Sequence, residues 1–132
     1  MPKVVKSNIT PLQQHIQKWK SCTECTLCQT RRNVVLCKGQ VPCDVLFIGE
    51  APGASEDSKG VPFHGPAGHL LDTIIRRAFG DDHQIRIAFT NIIACIPKTE
   101  AGSGKYGEPT KESIEACEPR LIEFVRLCKP RA

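Results

Sequence analysis

The chain has 132 residues, one domain's worth at most, and this excludes a multidomain machine. With 40% hydrophobic and 24% charged residues it is neither disordered nor low-complexity. Its formal net charge of +4 permits an anionic partner such as nucleic acid without requiring one. At this length roughly 65% of the unfolded surface can be buried, so a core forms without disulfide staples, yet the chain carries eight cysteines.

No apolar stretch approaches the ~20 residues of a membrane span, and Met1–Lys6 lacks the apolar run of a secretory signal. The expectation is a cytosolic protein without a membrane partner. In that reducing compartment, clustered cysteines are more often metal or cluster ligands than disulfides.

In chain order, Thr10-Pro11-Leu12-Gln13 predicts a helix start. Thr10 is the N-cap, Pro11 takes the first helical position and Gln13 closes a capping box. Leu12, Ile16 and Trp19 then share a face, and the helix stops near Ser21, where Cys22-x-x-Cys25-x-x-Cys28 begins. Val34–Leu36 is expected as a small strand and Asp44–Ile48 as a buried one. The stretch 49–68 holds five glycines and three prolines and is expected to be irregular throughout. A loop of that length without structure of its own is uncommon in a small domain unless it is functional. Leu70–Phe79 repeats its apolar pairs at helical spacing, and Ile85–Ile93 predicts a second buried strand. A glycine-rich loop follows around 101–107. Thr110 is expected to cap a last helix with Ile114, Cys117, Leu121 and Val125 on one face, kinked or divided at Pro119.

Helix, strand, loop, helix, strand, helix argues for α/β layering around a parallel sheet. Ligands in such folds sit where loops leave the carboxyl ends of strands, and the loops after Ile48 and at 91–97 are both of that kind. The loop at 49–68 has neither a Walker lysine nor dinucleotide-type glycine spacing. Asn91 among apolar neighbours is unfavourable in a strand, so a turn or capping role and a functional one stand side by side.

These segments together resemble the family 4, iron–sulfur uracil-DNA glycosylases. The likeness is carried by Cys22-x-x-Cys25, Val45-Leu46-Phe47-Ile48-Gly49-Glu50-Ala51-Pro52-Gly53, Glu56-Asp57, Gly60-x-Pro62-Phe63-x-Gly65-x-Ala67-Gly68-x-Leu70-Leu71-Asp72 and Thr90-Asn91-x-x-x-Cys95. It runs in order along nearly the whole chain. The resemblance implies a three-layer αβα fold with a parallel sheet, and hydrolytic release of uracil from DNA after the nucleotide is flipped out. It implies that Phe63 stacks on the base and that Asn91 reads it by donating to O4 and accepting from N3–H. Backbone N–H groups near Ala51 would hold O2, with close approach allowed at Gly49. Glu50 and Glu56 are the carboxylates of the loop, expected to orient water or balance positive charge on the sugar. His64 and His69 are expected at the surface or at the pocket rim.

By the same resemblance, Cys22, Cys25, Cys95 and Cys117 would hold a 4Fe–4S cluster of structural rather than redox use. The 21 residues between Cys95 and Cys117 exceed the family's usual gap, through an insertion around 98–107. A zinc site from Cys22, Cys25, Cys37 and Cys43 is the alternative, and Cys128 is expected to be a small buried residue. Family members continue into a further strand and a late His-Pro motif, which does not occur in this sequence. The expectation is therefore a domain truncated at its C-terminus, monomeric, acting on uracil-containing DNA in the cytoplasm and associated with the nucleoid through that DNA. The alternative is a noncatalytic iron–sulfur or zinc-binding DNA-associated module.

Overall fold

A computed structural model describes residues 8–98 and 106–132. The first helix, α1 (Pro11–Trp19), starts as the sequence predicts. The Gln13 N–H donates to Thr10 Oγ1 at 3.1 Å and the Thr10 N–H donates to Gln13 Oε1 at 2.9 Å. Its buried side differs from the expected stripe: His15 is 1% exposed whereas Ile16 is 37% exposed. A single 3₁₀ turn at Thr26–Gln29 follows.

Three strands form one sheet in the order β1-β3-β2. β2 (Val45–Gly49) runs parallel to β3 (Ile87–Asn91), with Val45 opposite Ile87 and Gly49 opposite Asn91. The expected strand at 34–36 is instead extended, buried chain, and the short strand is β1 (Lys38–Gly39), antiparallel to β3. The sheet is thus mixed rather than wholly parallel. Arg131 and Ala132 lie along the other edge of β2, where their N–H groups donate to the Asp44 carbonyl and the Leu46 N–H donates to the Ala132 carbonyl.

Between β2 and β3 the chain is more regular than its glycine content suggests. α2 (Ala54–Lys59) occupies part of the stretch expected to be irregular, and α3 (Pro66–Phe79) begins at Pro66. Both start on glycine and end where Gly60 and Gly80 take positive φ. α2 is a polar, mostly exposed turn and a half, so it leaves no apolar period to read. The last helix, α4 (Lys111–Cys128), is capped by Thr110 and ends at Lys129 in the left-handed region. Pro119 does not divide it. Proline removes one intrahelical hydrogen bond, and the packing of the turns on either side outweighs that loss.

Side-chain alternation along β3 separates two layers. Ala88 joins Cys43, Phe124 and Cys128 in the core beneath α4, with Leu12 of α1 against it. Ile87 and Phe89 face the opposite way, toward Ile75 of α3. The layer formed by α1 and α4 is closed by the His15 and Phe124 rings 5.5 Å apart, and by Glu123, which accepts from Trp19 Nε1 at 3.0 Å and Lys18 Nζ at 3.2 Å. The mixed sheet therefore lies between helices on both faces, an αβα arrangement.

Candidate active site

β2 and β3 end side by side, and a pocket opens there. The Ile92 N–H donates to the Gly49 carbonyl and the Ile93 N–H to that of Glu50, so the chain leaving β3 crosses the end of β2. Gly49, Glu50, Ala51, Glu56, Phe63 and Asn91 all line this one pocket. The residues singled out in the sequence, up to 42 positions apart in the chain, come together because parallel pairing puts Gly49 opposite Asn91.

Asn91 is 4% exposed. Among the described residues its side-chain amide makes no hydrogen bond, and it lines the pocket, where its donor and acceptor are open to a ligand. Its Oδ1 lies so close to Gly49 that a Cβ there would overlap it, and the same Cβ would come within 2.8 Å of Phe63 Cζ. Glycine at 49 is thus what lets the amide and the ring converge.

Phe63 has φ +53°, rare for a bulky residue, and such backbone persists only where the surroundings enforce it. Three neighbours do so. Lys38 Nζ donates to the Phe63 carbonyl at 3.1 Å, and Gly68 lets that backbone lie directly on the first turn of α3, where a Cβ would overlap the Phe63 carbonyl. Glu56 is the third: its Oε2 accepts from the N–H groups of His64 at 3.0 Å and Gly65 at 2.6 Å, while Oε1 accepts from the Gly53 N–H at 2.9 Å. Glu56 therefore spends its carboxylate on holding the loop. The Phe63 ring tilts against Phe89 at 5.5 Å and remains partly open to the pocket. Glu50 is exposed at the rim, and the Ala51 N–H has no partner among the described residues. His64 and His69 stack loosely, 6.4 Å apart, over an adjoining cleft lined by Ser55 and Lys59.

Two residues to which the sequence reading assigns no role support this loop. Asp57, 2% exposed, accepts from the N–H groups of Arg32 at 2.8 Å and Asn33 at 3.2 Å, tying α2 to the segment before β1. Lys38, besides its bond to Phe63, lies over the Phe89 ring at 4.9 Å.

A second cavity lies behind the end of β3. Cys22, Cys25, Cys95 and Cys117 line it together with Leu27, Val34 and Ile93. Cys37 and Cys43 do not. Cys43 sits beside Cys128 in the core with Cys37 packed against them, and burial pushes the Cys37 and Cys128 thiols up to about 11 and about 12. The residues of the alternative zinc set are therefore split between two places, and Cys128 is the buried residue expected. Among the described residues no three His, Cys, Asp or Glu side chains stand close enough to hold a metal ion as they are placed. The chemistry of the cavity nevertheless suits an anionic metal–thiolate group. Burial pushes the Cys25 thiol up, and the Cys95 thiol up to about 11, so both stay protonated unless a metal draws off the proton. Donors point at the sulfurs: the Ala94 N–H and Arg120 Nε reach Cys117 Sγ, each at 3.4 Å, and Arg31 Nη1 reaches Cys95 Sγ at 3.6 Å. Such bonds are strong toward a thiolate and weak toward a thiol.

Residues 38–132 match the family model described as the uracil DNA glycosylase superfamily. Proteins named Type-4 uracil-DNA glycosylase are similar over most of this chain. The one from Pyrobaculum aerophilum is 37% identical over 123 residues, which is 91% of this chain and 57% of that protein. Those from Sulfurisphaera tokodaii and Archaeoglobus fulgidus are 34% and 32% identical, covering 84% and 90% of this chain and 47% and 56% of their own lengths. The chain thus spans about half the length of the curated relatives it matches. On the family match and the order of its motifs, the chain belongs to the uracil DNA glycosylase superfamily.

Proposed function

We propose that this chain carries the base-recognition half of a uracil-DNA glycosylase of the Type-4 kind, and that it takes flipped uracil into the pocket at the ends of β2 and β3. The observation that carries this reading is the Asn91 amide, buried, without a protein partner among the described residues, and set against an aromatic ring. Uracil completes that amide, since the NH₂ donates to O4 and Oδ1 accepts from N3–H. Cytosine offers an amino group and a bare N3 in the same places, so donor meets donor and acceptor meets acceptor, each leaving a buried group unpaired at about 1–3 kcal/mol. The Phe63 ring supplies the stacking that offsets the few kcal/mol of base extrusion. In this reading the Ala51 N–H, free among the described residues, stabilises charge developing at O2, and the exposed Glu50 serves water or the sugar cation. Glu56 works as a positioning residue for Phe63 and Gly65.

In this reading Cys22, Cys25, Cys95 and Cys117 hold a 4Fe–4S cluster. When bound, the cluster supplies a crosslink between the segment after α1, the end of β3 and α4, with no chemistry at the base. The enzyme acts as a monomer in the cytoplasm, with uracil-containing DNA as its partner. No helix among the described residues is long and apolar enough to cross a membrane.

The test is release of uracil from a labelled oligonucleotide, scored as an alkali-labile abasic site. Wild type is expected to cleave at uracil and not at cytosine, and Asn91→Ala to lose at least ~100-fold in kcat/KM. A chain that binds iron but leaves uracil in place at high enzyme concentration sinks the glycosylase reading in favour of a noncatalytic DNA-associated module.

A further inference from the structure

Among the described residues Arg120 is the largest fully buried side chain, 1% exposed, and it stands midway along α4. Among the described residues its guanidinium makes four hydrogen bonds. Nη1 donates to Thr90 Oγ1 at 3.0 Å, Nη2 to the carbonyls of Asn91 at 2.6 Å and Ile92 at 3.0 Å, and Nε to Cys117 Sγ at 3.4 Å. The Thr90 hydroxyl passes the contact on by donating to the Leu36 carbonyl at 2.7 Å. Among the described residues no carboxylate pairs with this cation, for Glu123, the acid one turn along α4, is held by Trp19 and Lys18. A buried guanidinium among neutral acceptors is strongly disfavoured without a counter-charge. The sulfur it touches is that of Cys117, which lines the same cavity as Cys22, Cys25 and Cys95 and would carry negative charge once that cavity holds a metal.

We propose that Arg120 is a positioning residue that joins the cysteine cavity to the base-reading end of β3. One face of the guanidinium neutralises the anionic metal–thiolate group through Cys117. The other fixes the Asn91 and Ile92 carbonyls, and so the backbone from which the Asn91 amide reaches the pocket. The first half depends only on the cavity holding a metal, while the second rests on the uracil reading above. Loading the cavity and ordering the base-reading strand are then one event, because the same side chain serves both.

The experiment uses the full chain reconstituted anaerobically with iron and sulfide, as wild type, Arg120→Gln and Arg120→Lys. Gln removes the charge, whereas Lys keeps the charge but cannot hold the fan of four acceptors. Three quantities are read: the rate at which a chelator bleaches the visible absorption, deuterium uptake by the peptide covering 90–95, and kcat/KM for uracil excision. The Gln variant is expected to lose iron about 10-fold faster. The Lys variant is expected to keep its iron yet exchange faster at 90–95 and lose about 10-fold or more in kcat/KM per bound cluster. Iron loss from the Gln variant at the wild-type rate overturns the counter-charge, and wild-type exchange in the loaded Lys variant overturns the coupling. Should Gln fail to fold by circular dichroism, the Lys variant still decides the coupling, and Arg120→Met, neutral and of similar length, decides the charge by its iron-release rate. A wild type that excises no uracil removes the glycosylase reading alone, since bleaching and exchange are read without substrate.

Discussion

Two glycines of the pocket should fail in opposite ways when replaced by alanine, and the difference is worked out from what each new Cβ would strike. At Gly49 the obstacles are Asn91 Oδ1 and Phe63 Cζ, the latter at 2.8 Å. Both are far ends of side chains that can rotate aside, at the ~0.5–1.5 kcal/mol of an off-rotamer torsion. At Gly68 the obstacles are the carbonyl group of Phe63 and, at 2.8 Å, its Cα. That is backbone, already held at positive φ, so the helix must lift, with overpacking costing about 1–3 kcal/mol. For a domain of this size ~1 kcal/mol shifts the melting temperature by about 3–5 °C. Gly68→Ala should therefore melt about 3–15 °C below wild type, whereas Gly49→Ala stays within about 8 °C of it. Excision should reverse the severity. A displacement of about 1 Å at the amide that reads the base is expected to lower kcat/KM about 100-fold in Gly49→Ala. Thermal melts by circular dichroism, paired with single-turnover excision of uracil, measure both. If Gly49→Ala excises within about threefold of wild type, Asn91 and Phe63 do not frame the base. An unshifted melt for Gly68→Ala would show that Phe63 is not seated on α3 as described.

Three further outcomes are expected. Glu56→Gln should destabilise the fold by about 1–3 kcal/mol, since an amide cannot accept three N–H bonds as the carboxylate does; faster amide exchange at His64 and Gly65 is the specific readout. Serine at Cys22, Cys25, Cys95 or Cys117 should abolish retention of iron after anaerobic reconstitution, and serine at Cys37 should not. Iron analysis that ranks Cys37→Ser with the other four would place the cluster elsewhere. Burial holds the His15 imidazole below its usual range, against the pull of Glu123 Oε1 at 3.4 Å and with Arg120 and Lys18 adding to the depression. As pH falls through about 6.5 the unfolded chain takes up this proton before the folded one does, so stability is full above that pH and declines below it. Urea midpoints at about pH 7.5 and about pH 5.5 should differ less in His15→Gln than in wild type, and equal differences would remove His15 as the cause.

How legible the molecule was depends on whether a feature is local. The capping box at Thr10 and Gln13 and the apolar cores of β2 and β3 are short-range patterns, and the structure has them within a few residues of where the sequence places them. The pocket residues were legible as a group through motif order, although their meeting depends on strand register. α2 escaped because a polar, exposed helix six residues long carries no hydrophobic period. Arg120 escaped for the opposite reason. The buried positions Ser113, Arg120, Phe124 and Cys128, with partly buried Cys117, keep helical spacing, but a search for apolar residues passes over an arginine and settles one step away, on the stripe beginning at Ile114, itself 38% exposed. His15 and Ile16 repeat that error on α1. The part of the sequence reading that concerns 99–105, within the glycine-rich loop and the insertion, and the reading of Met1–Lys6, fall outside the described residues.

The left-handed backbone of Phe63 bears on selectivity as well as on stacking. With its carbonyl tied to Lys38, its backbone resting on Gly68 and the next two N–H groups gripped by Glu56, the backbone that carries the ring is positioned before any base arrives, and that ordering cost falls on folding rather than on binding. On the proposed reading, a base then meets a loop that needs no ordering, and only the torsion of the ring itself is left to adjust. On that same reading, the Asn91 amide can tell uracil from cytosine against a neighbour whose chain is already in place.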